Sequence, residues 1–156
     1  MKFVYNRCMS PSPSPEQTDS PAVKGLIVTT VLAHYPDAQG IYLFGSYGTD
    51  DEWPDSDIDI AVLLPPVEAK RVGALALGDL HLALTAALGR DVDLLNARLV
   101  STVFQKAIIF GELLYCGDRY AVDEFEMLTL SYYQKLNEER AGILAAFRET
   151  GRAYDV

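Results

Sequence analysis

Two carboxylates and a Gly-Ser turn stand where they could handle a phosphate together. Leu43-Phe44 runs into Gly45-Ser46, and ten residues later Asp57-Ile58-Asp59 opens a second apolar run that continues to Leu64. Side chains alternate along a strand, so Asp57 and Asp59 leave the sheet on one face while Ile58 and Ile60 leave on the other. Parallel carboxylates at such positions repel each other, and no cationic residue is close by in sequence to offset them. A hard divalent cation relieves that repulsion, and Mg²⁺ favours one or two carboxylates supplemented by water and phosphate oxygens. Gly45 lets backbone approach a phosphate, and Ser46 adds an N–H and a hydroxyl. Together these residues point to a nucleoside triphosphate held by backbone at one end and by metal at the other. Taken singly, a Gly-Ser is most often a plain turn and an Asp-x-Asp a solvated loop edge. Their succession between two apolar strands is the informative feature.

That succession, Gly45-Ser46, ten residues, Asp57-Ile58-Asp59 and an apolar strand, resembles the signature of the DNA polymerase β-like nucleotidyltransferase superfamily. The short chain resembles its minimal nucleotidyltransferase (MNT) group, which includes the antitoxins of HEPN/MNT toxin–antitoxin pairs. The resemblance covers roughly residues 20 to 117. It implies a third carboxylate on a neighbouring strand, which Arg90-Asp91-Val92-Asp93-Leu94-Leu95-Asn96 supplies. Asp91 and Asp93 share a face by the same alternation, so spacing leaves both open. The family's third acid precedes a short apolar pair, which selects Asp93 and keeps Asp91 as its alternate.

The resemblance also implies the chemistry. Gly45 and Ser46 would hold the triphosphate of ATP, Asp57 and Asp59 would bind both Mg²⁺ ions, and Asp93 would complete the metal site facing the acceptor. In the MNT antitoxins that acceptor is a tyrosine hydroxyl of a HEPN ribonuclease toxin, silenced by transfer of AMP. The loop after Gly-Ser departs from the family pattern: Gly48-Thr49-Asp50 stands where relatives carry a small residue, an arginine and a glycine, and Asp51 and Glu52 follow. These three acids are expected to point to solvent. Two other readings stay beside the first: a nucleotidyltransferase acting on a small hydroxylated, aminoglycoside-like molecule, and an antitoxin that neutralises its partner by binding alone.

The elements that must position these residues can be read along the rest of the chain. Its 156 residues, 49% of them hydrophobic, suit one globular domain. A formal net charge of −9 argues against direct nucleic-acid binding, which calls for a basic stripe. Cys8 and Cys116 form neither a disulfide framework nor a metal motif, no apolar run approaches the length of a membrane span, and the expected location is the cytoplasm.

Residues 1–19 read as a disordered Ser/Pro-rich tail, within which Met9 is an alternative start. A nucleotidyltransferase domain is expected over 20–117, and 118–156 as a C-terminal helix packed on that domain or on a partner. The first helix opens at Ser20-Pro21 and presents Val23, Ile27, Val31 and Leu32. After Pro65-Pro66 one long helix is expected, with Leu77, Leu80, Leu84 and Leu88 as its core stripe and Gly89 at its end. His34 and His81 read as solvent-facing and Arg90 as a surface cation. Val100, Phe104, Ala107 and Ile108 mark another helix, Leu113 to Cys116 a strand, and Asp118 the cap of a long helix whose stripe runs through Phe125, Leu128, Tyr132, Leu136, Ile143 and Phe147. The expected fold is α/β, a polymerase β-like nucleotidyltransferase with a mixed sheet, helices on one side of it, and a long C-terminal helix.

Overall fold

The structure, a computed structural model, describes residues 20–45, 57–74 and 78–150. The Ser/Pro-rich tail, Ser46, the acidic positions Asp50 to Glu52, and Leu77 lie outside these residues.

Helix α1 (Ser20–His34) buries Ile27 and Val31, one turn apart, with Val23 and Leu32 half-buried beside them. It stops just before Tyr35-Pro36, where the proline ring disfavours helical backbone at the preceding residue. Strand β1 (Gly40–Phe44) is buried along its whole length because it lies in the interior of the sheet. It pairs antiparallel with β2 (Ile58–Leu63) and with β4 (Glu112–Cys116), and β3 (Val92–Asn96) runs parallel to β2. The order is β3-β2-β1-β4.

The crossover from β2 to β3 holds two helices, α2 (Pro66–Val72) and α3 (Asp79–Leu88), rather than the one expected from sequence. Gly73 ends α2 in the left-handed region at φ 68°. Asn96, at the end of β3, then donates from its amide to the carbonyls of Ala69 (3.1 Å) and Gly73 (2.9 Å). The Ala69 carbonyl already accepts from the N–H of Gly73 at 3.1 Å, so Asn96 adds a second donor there and supplies one to the carbonyl of Gly73 beyond the helix end, which makes the break stable. Within α3, Leu80 and Leu84 are fully buried and Leu88 packs against them.

Strand alternation divides the core into two. Ile41, Leu43, Ile58, Ile60, Val62, Val92 and Leu94 face α1, α2 and α3. Tyr42, Phe44, Ala61 and Leu63 face Ile108 and Ile109 of α4 (Thr102–Ile109) and Val122 and Phe125 of α5 (Arg119–Thr150). Helices therefore cover both faces of the sheet, not one. A strand such as β1, apolar at every position, requires this, since period-two alternation would otherwise leave half of it in water.

Helix α4 also differs from its expected stripe: its last turn buries Ile108 and Ile109, while Phe104 is exposed. A helix of eight residues meets the core with its last turn only. Helix α5 is capped by Asp118, whose Oδ1 accepts from the N–H of Ala121 at 3.1 Å. Ala121, Val122, Phe125, Glu126 and Thr129 are its buried residues. The Tyr42 hydroxyl donates to Glu126 Oε1 at 3.0 Å in this interface.

Candidate active site

The edge of the sheet where β1 ends and β2 and β3 begin carries the carboxylates. The register sets Phe44 opposite Asp59 and, across the next strand, Asp59 opposite Asp93. Residues directly opposite on neighbouring strands send their side chains to the same face, so Asp59 and Asp93 stand side by side. Both are on the face covered farther along by α4 and α5, together with Ala61 and Leu63. Asp57, exposed, immediately precedes β2.

Gly45 closes the arrangement. It follows β1 at φ 79°, and a Cβ built on it would fall within the Asp59 carboxylate, 2.9 Å from its Cγ. The turn thus needs glycine for two separate reasons, a left-handed backbone and a volume already taken by Asp59. The motif's first residue and its second acid are fitted to each other. Ser46 lies outside the described residues.

Asp59 is half-buried, and its pKa is raised from 3.8 to about 6. Burial is the largest cause, followed by the charge of Asp93 and then of Asp57. Desolvation and like charge act in the same direction here, both disfavouring the carboxylate. The neighbours that push Asp59 are Asp93 and Asp57, and Asp93 is the residue in register with it, which separates Asp93 from Asp91. The backbone of Asp91 has a different part: its carbonyl accepts from the N–H of Ile58 at 3.0 Å and starts the β2–β3 ladder.

An oxygen-only donor set at a strand edge, destabilised by its own charge, fits a hard divalent cation such as Mg²⁺. Among the described residues no three histidine, cysteine or carboxylate side chains are gathered closely enough to cage a metal. Mg²⁺ does not require such a cage when phosphate oxygens and water fill the remaining positions.

One residue at this edge departs from its sequence reading. His81, expected in solvent, is half-buried in α3 with Nε2 2.9 Å from the carbonyl of Val92. Since Asp91 points its carbonyl toward β2, Val92 points outward from the sheet edge, and His81 donates to that otherwise free acceptor. The bond joins α3 to the residue immediately before Asp93. No sequence signal announces it, because it depends on a helix packing across a strand edge eleven residues away. Arg90 is partly buried, not a fully exposed cation. His34 is exposed at the end of α1, with Nδ1 3.0 Å from the carbonyl of Thr30.

The chain is similar to known proteins in sequence and fold. The polymerase beta nucleotidyltransferase family profile matches residues 28–120, from within α1 to the start of α5. The protein adenylyltransferase MntA of Shewanella oneidensis is 38% identical over 119 residues, which is 76% of this chain and 82% of that protein. A crystal structure of a toxin–antitoxin with AMP-PNP superposes with a TM-score of 0.62 at 32% identity, covering 80% of this chain and 98% of the other. The MNT antitoxin in complex with the tri-AMPylated HEPN toxin of Shewanella oneidensis gives a TM-score of 0.60 at 32% identity over 82% and 98%. With the matched region spanning every strand and the whole carboxylate edge, this chain belongs to the polymerase β nucleotidyltransferase family.

Proposed function

We propose that this protein is an ATP-dependent protein adenylyltransferase that transfers AMP to a tyrosine hydroxyl of a HEPN-domain toxin and thereby neutralises it. The observation that carries this reading is the side-by-side placement of Asp59 and Asp93 against a left-handed Gly45, in a chain 38% identical to a protein adenylyltransferase.

Gly45, with Ser46 after it, holds the triphosphate at the end of β1, where the absence of a side chain lets backbone N–H groups reach phosphate oxygens. Asp57, Asp59 and Asp93 are the residues that would hold Mg²⁺, which when bound supplies the positive charge that offsets the phosphates and lowers the pKa of a nearby hydroxyl. The tyrosine oxygen attacks the α-phosphorus in line, forming a new O–P bond as the bond to the β-phosphate oxygen breaks and pyrophosphate leaves. Asp93, at the outer strand of the carboxylate edge, accepts the phenolic proton. Among the described residues, helices cover both faces of the sheet, and the carboxylates stand at its edge rather than beneath a helix.

The test is intact-mass spectrometry of the cognate HEPN protein after incubation with this chain, ATP and Mg²⁺, beside an Asp57→Ala/Asp59→Ala control. The expected result is a mass gain in whole AMP units that the control lacks. No gain alongside a stable complex would replace catalysis by neutralisation through binding alone.

A further inference from the structure

Strand β3, which carries the third acid, lies at the edge of the sheet and has a strand neighbour on one side only. On the β2 side its ladder begins where the Asp91 carbonyl accepts from the N–H of Ile58 at 3.0 Å. On the outer side the Val92 carbonyl accepts from His81 Nε2 at 2.9 Å. A carbonyl only accepts, so Nε2 is the protonated nitrogen. The two bonds hold the first residues of β3 from opposite sides, at the point where an edge strand with a single ladder would fray first.

The imidazole has a firm mounting. Leu80, its neighbour on α3, and Leu84, one turn on, are buried in the core that also holds Val92 and Leu94. The helix and the strand that His81 bridges therefore belong to one packed cluster. The Val92 carbonyl is part of the peptide unit whose nitrogen is that of Asp93, and a peptide unit is planar. Fixing its oxygen orients the nitrogen and the Cα of Asp93 as well. Asp93 is exposed, so the direction of its Cα–Cβ bond comes from this backbone and not from side-chain packing. Asp59 stands directly opposite, and a hard cation held between two carboxylates is sensitive to displacements of a fraction of an ångström.

We propose that His81 is a positioning residue of the carboxylate edge: through the Val92–Asp93 peptide it sets the direction in which Asp93 presents its carboxylate to a divalent cation shared with Asp59. The inference rests on the reading of Asp93 as the third metal-holding acid and extends it to what keeps that acid in place. His81 touches neither substrate nor reacting atoms and acts through the strand. Replacing it leaves the three acids and Gly45 in the chain, so the loss expected is one of geometry and not of charge.

The deciding variants are His81→Leu, which removes the donor, and His81→Gln, whose side-chain amide can reach the same carbonyl. Folding is checked by circular dichroism. Mn²⁺ binding in the presence of AMP-PNP is measured calorimetrically, and AMP transfer to the cognate HEPN protein is followed across ATP concentrations. His81→Leu is expected to weaken Mn²⁺ binding by about 10-fold and to lower kcat by a similar factor, with KM for ATP changed by less than about twofold. His81→Gln should stay within about threefold of wild type. In an Asp93→Ala background, His81→Leu should have almost no further effect on Mn²⁺ affinity, because the acid it positions is gone. Wild-type Mn²⁺ affinity in folded His81→Leu would overturn the proposal, as would the same loss in the Asp93→Ala background or a His81→Gln variant no better than His81→Leu. If His81→Leu does not fold, His81→Gln is compared with His81→Asn, whose shorter amide falls short of Val92 and carries the expected loss. Absence of Mn²⁺ binding by wild type would overturn both the metal site and the positioning role. If wild type binds Mn²⁺ in a His81-dependent way yet transfers no AMP, the transferase reading fails and the positioning role stands.

Discussion

The two ends of the same four-stranded sheet are built on opposite principles. At the end where β2 and β3 finish, side-chain donors meet backbone and side-chain acceptors. Arg98 donates from Nε to the carbonyl of Leu64 at 2.5 Å and from its guanidinium to Gln39 Oε1 at 2.6 Å. The Gln39 carbonyl caps the turn into α5, and Asn96 closes α2. At the end where β2 and β3 begin, burial, Asp93 and Asp57 all disfavour the charged form of Asp59, and Gly45 adopts the left-handed backbone that leaves room for it. One end stabilises the fold, and the other gathers carboxylates at a cost to their charged form. Stability and chemistry are thus separated by the length of a strand.

The sharpest way to break this contrast is to remove the third acid. Asp93→Ala is expected to lower AMP transfer by about 100-fold or more, equivalent to about 3 kcal/mol of barrier, whereas Asp91→Ala changes it by less than about threefold. Initial rates at saturating ATP distinguish the two, and equal losses would reverse the assignment. Gly45→Ala probes the fit between turn and acid: the left-handed backbone and the displaced carboxylate together should destabilise the chain by about 2–3 kcal/mol and depress transfer as well. Chemical denaturation and the rate assay read the two effects separately.

At the quiet end, Arg98→Met should cost about 2 kcal/mol of stability, since two hydrogen bonds from a partly buried guanidinium are lost, while the rate per folded molecule is unchanged. A rate loss without a stability loss would show that the two ends are not independent. The smallest effect has the opposite sign. Asp59→Asn removes the acid whose pKa is raised from 3.8 to about 6, and in metal-free buffer at pH 7 it should stabilise the chain by about 1–2 kcal/mol after allowance for solvent screening. The folded state holds this proton more tightly than the unfolded state. Metal-free wild type should therefore lose stability as pH rises from about 4 to about 6 and then level off, and Asp59→Asn should flatten that window. Thermal unfolding in chelator across this range is the measurement.

The local features legible in the chain are those that depend on neighbours in sequence. The alternation Asp57-Ile58-Asp59-Ile60 gives a strand with two acids on one face, Pro36 and Gly89 end their helices where backbone sterics require, and Asp118 caps α5. What misled was a reading of one element without its packing partners. A single long helix after Pro65-Pro66 is a fair reading of that stretch, yet Gly73 and a donor from Asn96, more than twenty residues away, divide it. His81 looks like a surface histidine on its own helix and becomes half-buried only because β3 is the edge strand beneath it.

By itself the sequence determined the parts: which residues are acids, their period-two spacing, the glycine before them and the apolar stripes that must be covered. Backbone geometry converts those patterns into strands, turns and helices with no knowledge of the rest of the chain. Only the tertiary structure decided that Asp93, not Asp91, stands level with Asp59, and that the Asp59 carboxylate occupies the space a side chain at Gly45 would need. Register between strands is set by burial summed over two cores, which no single strand can report.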